Sequence, residues 1–479
     1  MVFNSLPFLV FLPIVFLLYW FVVNRNFRVQ NAFLLVASYV FYGWWDWWFL
    51  SLIIASSATD FFTGIRIGGA TNEREKRLWL LMSVVVNLTI LGFFKYFNFF
   101  VESFVDLFQL AGVSLDVSTL SIILPVGISF YTFQSLSYTI DIYRGKLEPT
   151  RDPITFFSFV AFFPQLVAGP IERATNLIPQ FSRERNFDYE QAVSGCRLIL
   201  WGLFKKIVIA DGLAHTVDLI YANPYDHSGL TILFATICFT FQIYADFSGY
   251  SDIAIGVARL FGFDLMTNFR TPLFSKTFQE LWRRWHISLS TWFRDYFYFS
   301  LGGNKVSTPR WLLNMFLTFL VSGLWHGASI NFLIWGGLLG FIFALEALIL
   351  KYKVLNFSLP TIIQMWYPFL VFTIAFIFFR AQTMPEAFYM FNAVFDPSEY
   401  AITGMSLPSL FKSHAIMWQF SASFILFMLI EILIGKKDFD LLIQQSRRPL
   451  RWGTYYFLAI WIILFGNFDI EPTFVYFQF

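Results

Sequence analysis

Apolar stretches about 20 residues long recur along this chain, and that length matches the hydrocarbon core of a bilayer. One of them reads "INFLIWGGLLGFIFALEALIL" (330–350). Backbone amides at such depth find no water, so a chain of this kind must satisfy them internally, as helices do. Apolar segments fall near residues 7–23, 31–46, 47–63, 78–100, 119–140, 154–170, 191–210, 230–258, 311–328, 329–350, 361–379, 414–434 and 452–466. The pattern predicts an all-α polytopic membrane protein of about 11–12 transmembrane helices with further re-entrant or interfacial segments. Only 13% of the 479 residues are charged, against roughly 25% in a soluble domain. No tandem repeat interrupts the pattern, and residues 1–479 read as one integral membrane domain.

Net charge is +2, and its distribution says more than its sum. Basic loops occur at 24–28, 66–77, 143–151 and 435–451, and the positive-inside rule places them in the cytoplasm. The acidic stretch 101–119, without Lys or Arg, is expected outside. Segment 154–170 has basic flanks on both sides and is expected to be re-entrant or interfacial. The first segment lacks a basic leader and a cleavage site, so it reads as a spanning helix. By the same alternation the tail "NFDIEPTFVYFQF" is expected on the outer face. Cys196 and Cys238 offer no disulfide framework.

The stretch "SGLWHGASINFLIW" (322–335) places His326 between two apolar runs. Thr318, Ser322, His326 and Ser329 recur at helical spacing and predict one polar stripe. Gly323 and Gly327 form a G-x-x-x-G around the histidine, which permits close approach by a neighbouring helix. The stripe alone fits a packing histidine as well as a reactive one.

A second histidine lies in "TFQELWRRWHISLSTWFRDYFYFS" (277–300). Thr277 and Glu280 have capping-box spacing and predict a helix start. Arg283, His286, Ser290 and Arg294 then share one face, with Trp282, Trp285, Leu289, Trp292 and Tyr296 on the other. A helix with this polar face lies at the interface or lines an aqueous cavity. Third comes "FQIYADFSGYSDIAIG" (241–256), where Gln242 and Asp246, and Ser248 and Asp252, are helical neighbours. Carboxylates at this depth usually face a cavity or pair with a cation, and Arg283 or Arg284 is the expected partner.

Together "RRWHISLSTWFRDYFY", "SGLWHGASINFLIWG", "YADFSGYSDIAIGVARLFGF", "NFRTPLF" and "FFPQLVAGPIER" resemble the membrane-bound O-acyltransferase family, in its bacterial alginate O-acetyltransferase-like branch. The resemblance implies helices ringing a central funnel, with the acyl donor arriving from the cytoplasm and the acceptor from outside. It also implies His326 as the signature active-site residue, His286 as its companion, and a periplasmic SGNH-hydrolase-like partner that completes transfer to a polysaccharide. The expected location is the bacterial inner membrane.

On that reading the catalytic segments are 241–335, with Tyr250, Trp325 and Ser322 joining Asp246, Gln242, Arg283, Arg284 and Ser290 as supporting residues. A buried His326 is expected to be neutral and to act as general base. His286 is expected to orient the thioester or protonate the leaving group. Acetyl-CoA or an acyl-carrier thioester is the expected donor substrate, with no bound cofactor. Tyr476, in the hexapeptide 474–479, reads either as a transient acyl carrier, which the resemblance favours, or as an aromatic anchor. Lys205, Lys206, Arg144 and Arg151 read as topology determinants, with contact to donor phosphates as the alternative. No third ligand clusters with the histidines for a metal, and no nucleic-acid surface is visible. A transporter or flippase for a lipid or glycan is the competing class, and it would show an internal repeat of broken helices.

Overall fold

The apolar runs become helices, and their ends follow local chemistry. Asn72 accepts a hydrogen bond from the Glu75 amide at 2.8 Å and starts the helix Glu73–Leu91. Asn26 does the same for the helix Phe27–Gly43. The computed structural model describes residues 1–113, 119–167, 169–353, 360–400, 410–411, 413–435, 437–468 and 475. Among these no strand occurs. Within the described residues six helical stretches are long and apolar enough to cross a membrane: Trp47–Gly69, Glu73–Leu110, Gly229–Leu260, Ile330–Tyr352, Thr361–Arg380 and His414–Ile434. Leu6–Phe21 and Pro153–Leu166 are shorter apolar helices. The protein is an all-helical, multi-pass membrane protein.

Other apolar segments are helical too, but polar groups turned inward dilute them. The helix Ile128–Tyr143 buries Ser129, Thr132, Gln134, Ser135, Ser137, Thr139 and Asp141. The run 191–210 is interrupted by a π-helical turn, Phe204–Ala210, that buries Lys205 and Lys206. Segment 154–170 breaks at Phe162, between the helices Pro153–Ala161 and Phe163–Leu166. Conversely, Leu6, Ile362 and Ile463 stand more than two-thirds exposed, as expected of side chains whose solvent is lipid.

The chain forms two compact units. The first comprises Met1–Ala192 with Val257–Met266, the second Val193–Gly256 with Thr267–Phe479. In the first, the helices Leu50–Gly69, Glu73–Leu91 and Ile128–Tyr143 meet around Asp60. Ser83 Oγ donates to its carboxylate at 2.6 Å, Asn87 Nδ2 at 2.9 and 3.0 Å, and Ser135 Oγ adds a further bond.

In the second unit, glycines bring helices to backbone contact. A Cβ on Gly202 would lie 2.5 Å from the Gly249 carbonyl oxygen, and one on Gly256 equally near that of Gly195. This joins the helix Tyr189–Leu203 to the long helix Gly229–Leu260. Between apolar helices in lipid there is no hydrophobic drive, so such close approach supplies the contact energy.

Candidate active site

His326 closes the helix Thr308–His326, and Gly327 continues in extended backbone. The next helix, Ile330–Tyr352, starts after Ser329 and packs back along the first. A Cβ on Gly323 would overlap the Phe332 carbonyl oxygen, and one on Gly327 would overlap the Phe332 ring. The two glycines therefore act differently. Gly323 lets two backbones touch, whereas Gly327 makes room for an aromatic ring at the turn. The predicted stripe holds for Thr318, Ser322 and His326. Ser329 lies beyond the helix end, because the chain leaves helical geometry at Gly327.

This turn seats the His326 imidazole, 5% exposed, among aromatic rings. Trp325, Trp335 and Phe379 stand edge-on with centroids 5.0, 5.1 and 5.6 Å away.

The stretch 277–300 is not one helix. Phe278–Arg284 and Ile287–Trp292 are separate, and His286 between them has left-handed backbone, φ 42° and ψ 54°. Beyond them Phe293–Tyr298 is π-helical. A non-glycine residue in that conformation costs about 1–3 kcal/mol and persists only where its surroundings dictate it. Asn268 supplies the constraint. Its carbonyl oxygen accepts from the Ile287 amide at 2.9 Å. Its Oδ1 accepts from the Ser288 hydroxyl and amide at 2.9 and 3.3 Å, while its Nδ2 donates to Ser251 Oγ at 3.1 Å.

The break swings His286 off the predicted arginine face and inward, leaving it 1% exposed, whereas Arg283 and Arg294 stay exposed. Ser290 turns its hydroxyl to the Trp285 carbonyl at 3.3 Å. The apolar face behaves as expected: Trp282, Trp285, Leu289, Trp292 and Tyr296 are all buried. Thr277 does cap the helix through the Glu280 amide at 3.0 Å. The Glu280 carboxylate accepts from the Lys276 amide and pairs with Arg284.

The two imidazoles meet. Their ring centroids are 6.5 Å apart, tilted by 61°, with Phe247 edge-on to His286 at 4.5 Å. Trp325, 5% exposed, has its ring centroid 6.2 Å from that of His286 and 5.0 Å from that of His326. Tyr250 and Gln242 are buried on the long helix. The Gln242 amide oxygen has no hydrogen-bond partner among the described residues. Ser322 is half-buried one turn before His326. Tyr476 lies outside the described residues.

The acidic residues of the long helix find different cations from those expected. Asp246 pairs with Lys206 at 2.7 Å, and Asp252 with Lys205 at 2.7 Å. Arg283 faces outward and Arg284 is taken by Glu280, so neither serves. A π-turn rotates less per residue than an α-turn, so two successive lysines point into the unit together. Buried at 3% and 1% exposure, they are neither loop charges nor open contacts for a phosphate. Arg144 and Arg151 remain exposed.

Asn268 and Asp211 carry no site signal in the sequence, and Lys206 reads there only as a topology determinant or a donor-phosphate contact. Asn268 stood only inside "NFRTPLF", and no spacing links it to a histidine further along the chain. Also in the second unit, Thr271, Leu273, Phe274, Arg284, Trp366, Phe369, Met428 and Glu431 line much of a cavity of about 570 Å³. That is within the roughly 300–1,000 Å³ of small-molecule sites. Arg284 lies two positions before His286.

Residues 150–388 match the model of MBOAT, the membrane-bound O-acyltransferase family. The chain belongs to this family, in its alginate O-acetylase-like branch, and is an O-acyltransferase. It is 42% identical to the probable alginate O-acetylase of Pseudomonas aeruginosa over 86% of this chain and 78% of that protein. The corresponding protein of Azotobacter vinelandii is 41% identical over 85% of this chain and 80% of its own length. The peptidoglycan O-acetyltransferase of Helicobacter pylori is 34% identical, over 79% and 76%.

Proposed function

We propose that the protein moves an acyl group, acetyl in the first instance, from a cytoplasmic thioester towards an extracytoplasmic polysaccharide, from a place in the bacterial inner membrane. The observation that carries this reading is the pair of buried imidazoles 6.5 Å apart. Relatives named for alginate and peptidoglycan O-acetylation support the acetyl group and a glycan acceptor.

In the reaction, neutral His326 takes the proton of the acceptor hydroxyl as its oxygen attacks the thioester carbonyl carbon. The tetrahedral oxyanion collapses, the carbon–sulfur bond breaks, and the leaving thiolate is protonated by the imidazolium or through His286. The donor, acetyl-CoA or an acyl carrier, approaches along the cavity at Arg284. Tyr476 is the proposed first acceptor. A phenol needs a neighbouring base to act as nucleophile. Tyr476 then hands the acyl group to an SGNH-hydrolase-like partner.

Membranes carrying the protein, incubated with labelled acetyl-CoA, test this directly. Label should appear on a peptide containing Tyr476 as an O-acetyl ester, and Tyr476→Phe should remove it. Label that never enters the protein, with transfer to glycan unchanged in Tyr476→Phe, overturns the carrier step.

A further inference from the structure

Three contacts tie Gly466, Asn467 and Val475 to other parts of the second unit. A Cβ on Gly466 would lie 2.8 Å from Ile207 Cγ2, so the backbone there is pressed against the π-helical turn. The Asn467 amide donates to the Ile207 carbonyl at 3.2 Å. A π-turn shifts backbone pairing by one residue, and here one of its carbonyls serves an outside donor. Further on, the Val475 amide donates to Asp246 Oδ2 at 2.7 Å, and Val475 is 6% exposed. Val475, within the tail that the charge pattern assigns to the outer face, is itself buried against Asp246.

The receptor for that amide is a charged triad. Lys206 Nζ lies 2.8 Å from Asp211 Oδ1 and 2.7 Å from Asp246 Oδ1. One ammonium between two carboxylates leaves an excess of negative charge at a site where bare charge is expensive. A backbone N–H on the second oxygen of Asp246 answers part of that excess through a charge-assisted bond. Asp246 is fully buried, so few donors reach it. The next residue on the same helix, Phe247, is the ring set edge-on to His286. One turn of helix thus holds both the Val475 amide and a wall of the imidazole site.

We propose that Lys206 and Asp211 are positioning residues: through Asp246 they form a seat that holds the tail, by the Val475 amide, in the catalytic unit for acyl transfer. The activity part rests on the function proposed above; the seat itself does not. Lys206 holds the carboxylate in place, and Asp211 holds Lys206.

Hydrogen exchange on the full chain in detergent, followed by mass spectrometry of the peptide around residue 475, tests the seat. Wild-type amides there should exchange slowly. Asp246→Ala, in which Lys206 keeps Asp211, should raise their exchange by roughly tenfold or more, the worth of one hydrogen bond to a charged group. Val475→Pro removes the donor while leaving the triad whole, and should act alike on the neighbouring amides even if Asp246→Ala folds poorly. Val475→Ala keeps the N–H and should stay protected.

Across these variants acetyl transfer should fall in kcat as protection is lost, with the donor KM unchanged. Fast exchange in the wild type, or protection unaltered in both Asp246→Ala and Val475→Pro, overturns the seat. Release of the tail with kcat unchanged overturns the positioning role. A protected tail that responds as expected, in a protein with no acyl transfer at all, upholds the seat and defeats the functional reading alone.

Discussion

Asp60 in the first unit and Asp246 in the second are equally buried, each with no measurable exposure, yet they are kept in different company. Among the described residues, Asp60 receives neutral donors, from Ser83, Asn87 and Ser135 on two adjoining helices. Short hydroxyl and amide side chains lose little entropy when they bond, and they set the register of three helices that have no hydrophobic reason to associate in lipid. Asp246 receives an ammonium and an amide from a distant part of the chain. Its helix also presents Phe247 to His286. Burial of a carboxylate is therefore not what marks a site. Asp246 differs from Asp60 in pairing with a cation that is itself held by Asp211, and in taking a donor from far along the chain.

If this contrast is right, substitutions in the two units separate cleanly into losses of rate and losses of stability. The largest effect on rate belongs to His326→Ala. Loss of a general base costs about 10²–10⁴ in rate, so acetyl incorporation per folded molecule should drop to background while the protein still inserts. Near-normal turnover in this variant would remove the base and leave the imidazole pair unexplained. Asn268→Ala should come next. It touches no reacting atom, but it frees the left-handed turn at His286, and misplacement by about 1 Å costs on the order of 10²-fold. Single-turnover measurements should show slower chemistry at unchanged donor affinity. An Asn268→Ala enzyme with full activity would mean that the His286 turn holds itself.

The helical class was readable from the apolar lengths, because bilayer thickness dictates them directly. So were the two Trp-His motifs, and with them the family. The geometry of each histidine was not readable. A strict helical period through 277–300 put His286 beside Arg283 and Arg294, and nothing in that period announces a left-handed residue held by an asparagine far from it in the chain. The lysines escaped for a related reason. Positive charge in a membrane protein usually reports loop topology, and the π-helical turn that directs Lys205 and Lys206 inward leaves no trace in hydropathy. Ser329 was misplaced by the same assumption of continuity, since a glycine after a histidine does not say where a helix stops.

Asp60→Leu probes the other side of the contrast, with a smaller effect on turnover. Each buried donor left without its acceptor costs about 1–3 kcal/mol, so the melting temperature of the solubilised protein should fall markedly. Acetyl transfer per folded molecule should stay near the wild-type value. A variant that melted normally but lost transfer would place Asp60 in the chemistry and erase the distinction between the units.

The smallest effect expected is also the sharpest discriminator within the second unit. Arg283 and Arg284 are adjacent, and a continuous amphipathic helix would give the polar face to Arg283, three positions before His286. The break at His286 reverses their standing. Arg283 is exposed, whereas Arg284 is half-buried, paired with Glu280 and part of the cavity lining. Exposed substitutions away from any special feature change free energies by about 0.5 kcal/mol or less, a factor of about two in rate. Arg283→Ala should therefore leave kcat and donor KM within that factor, while Arg284→Ala should raise the donor KM. Measured side by side, a strong loss in Arg283→Ala with none in Arg284→Ala would restore the unbroken helix and move His286 back onto an outward face. That result would separate the two imidazoles on which the proposed proton transfer depends.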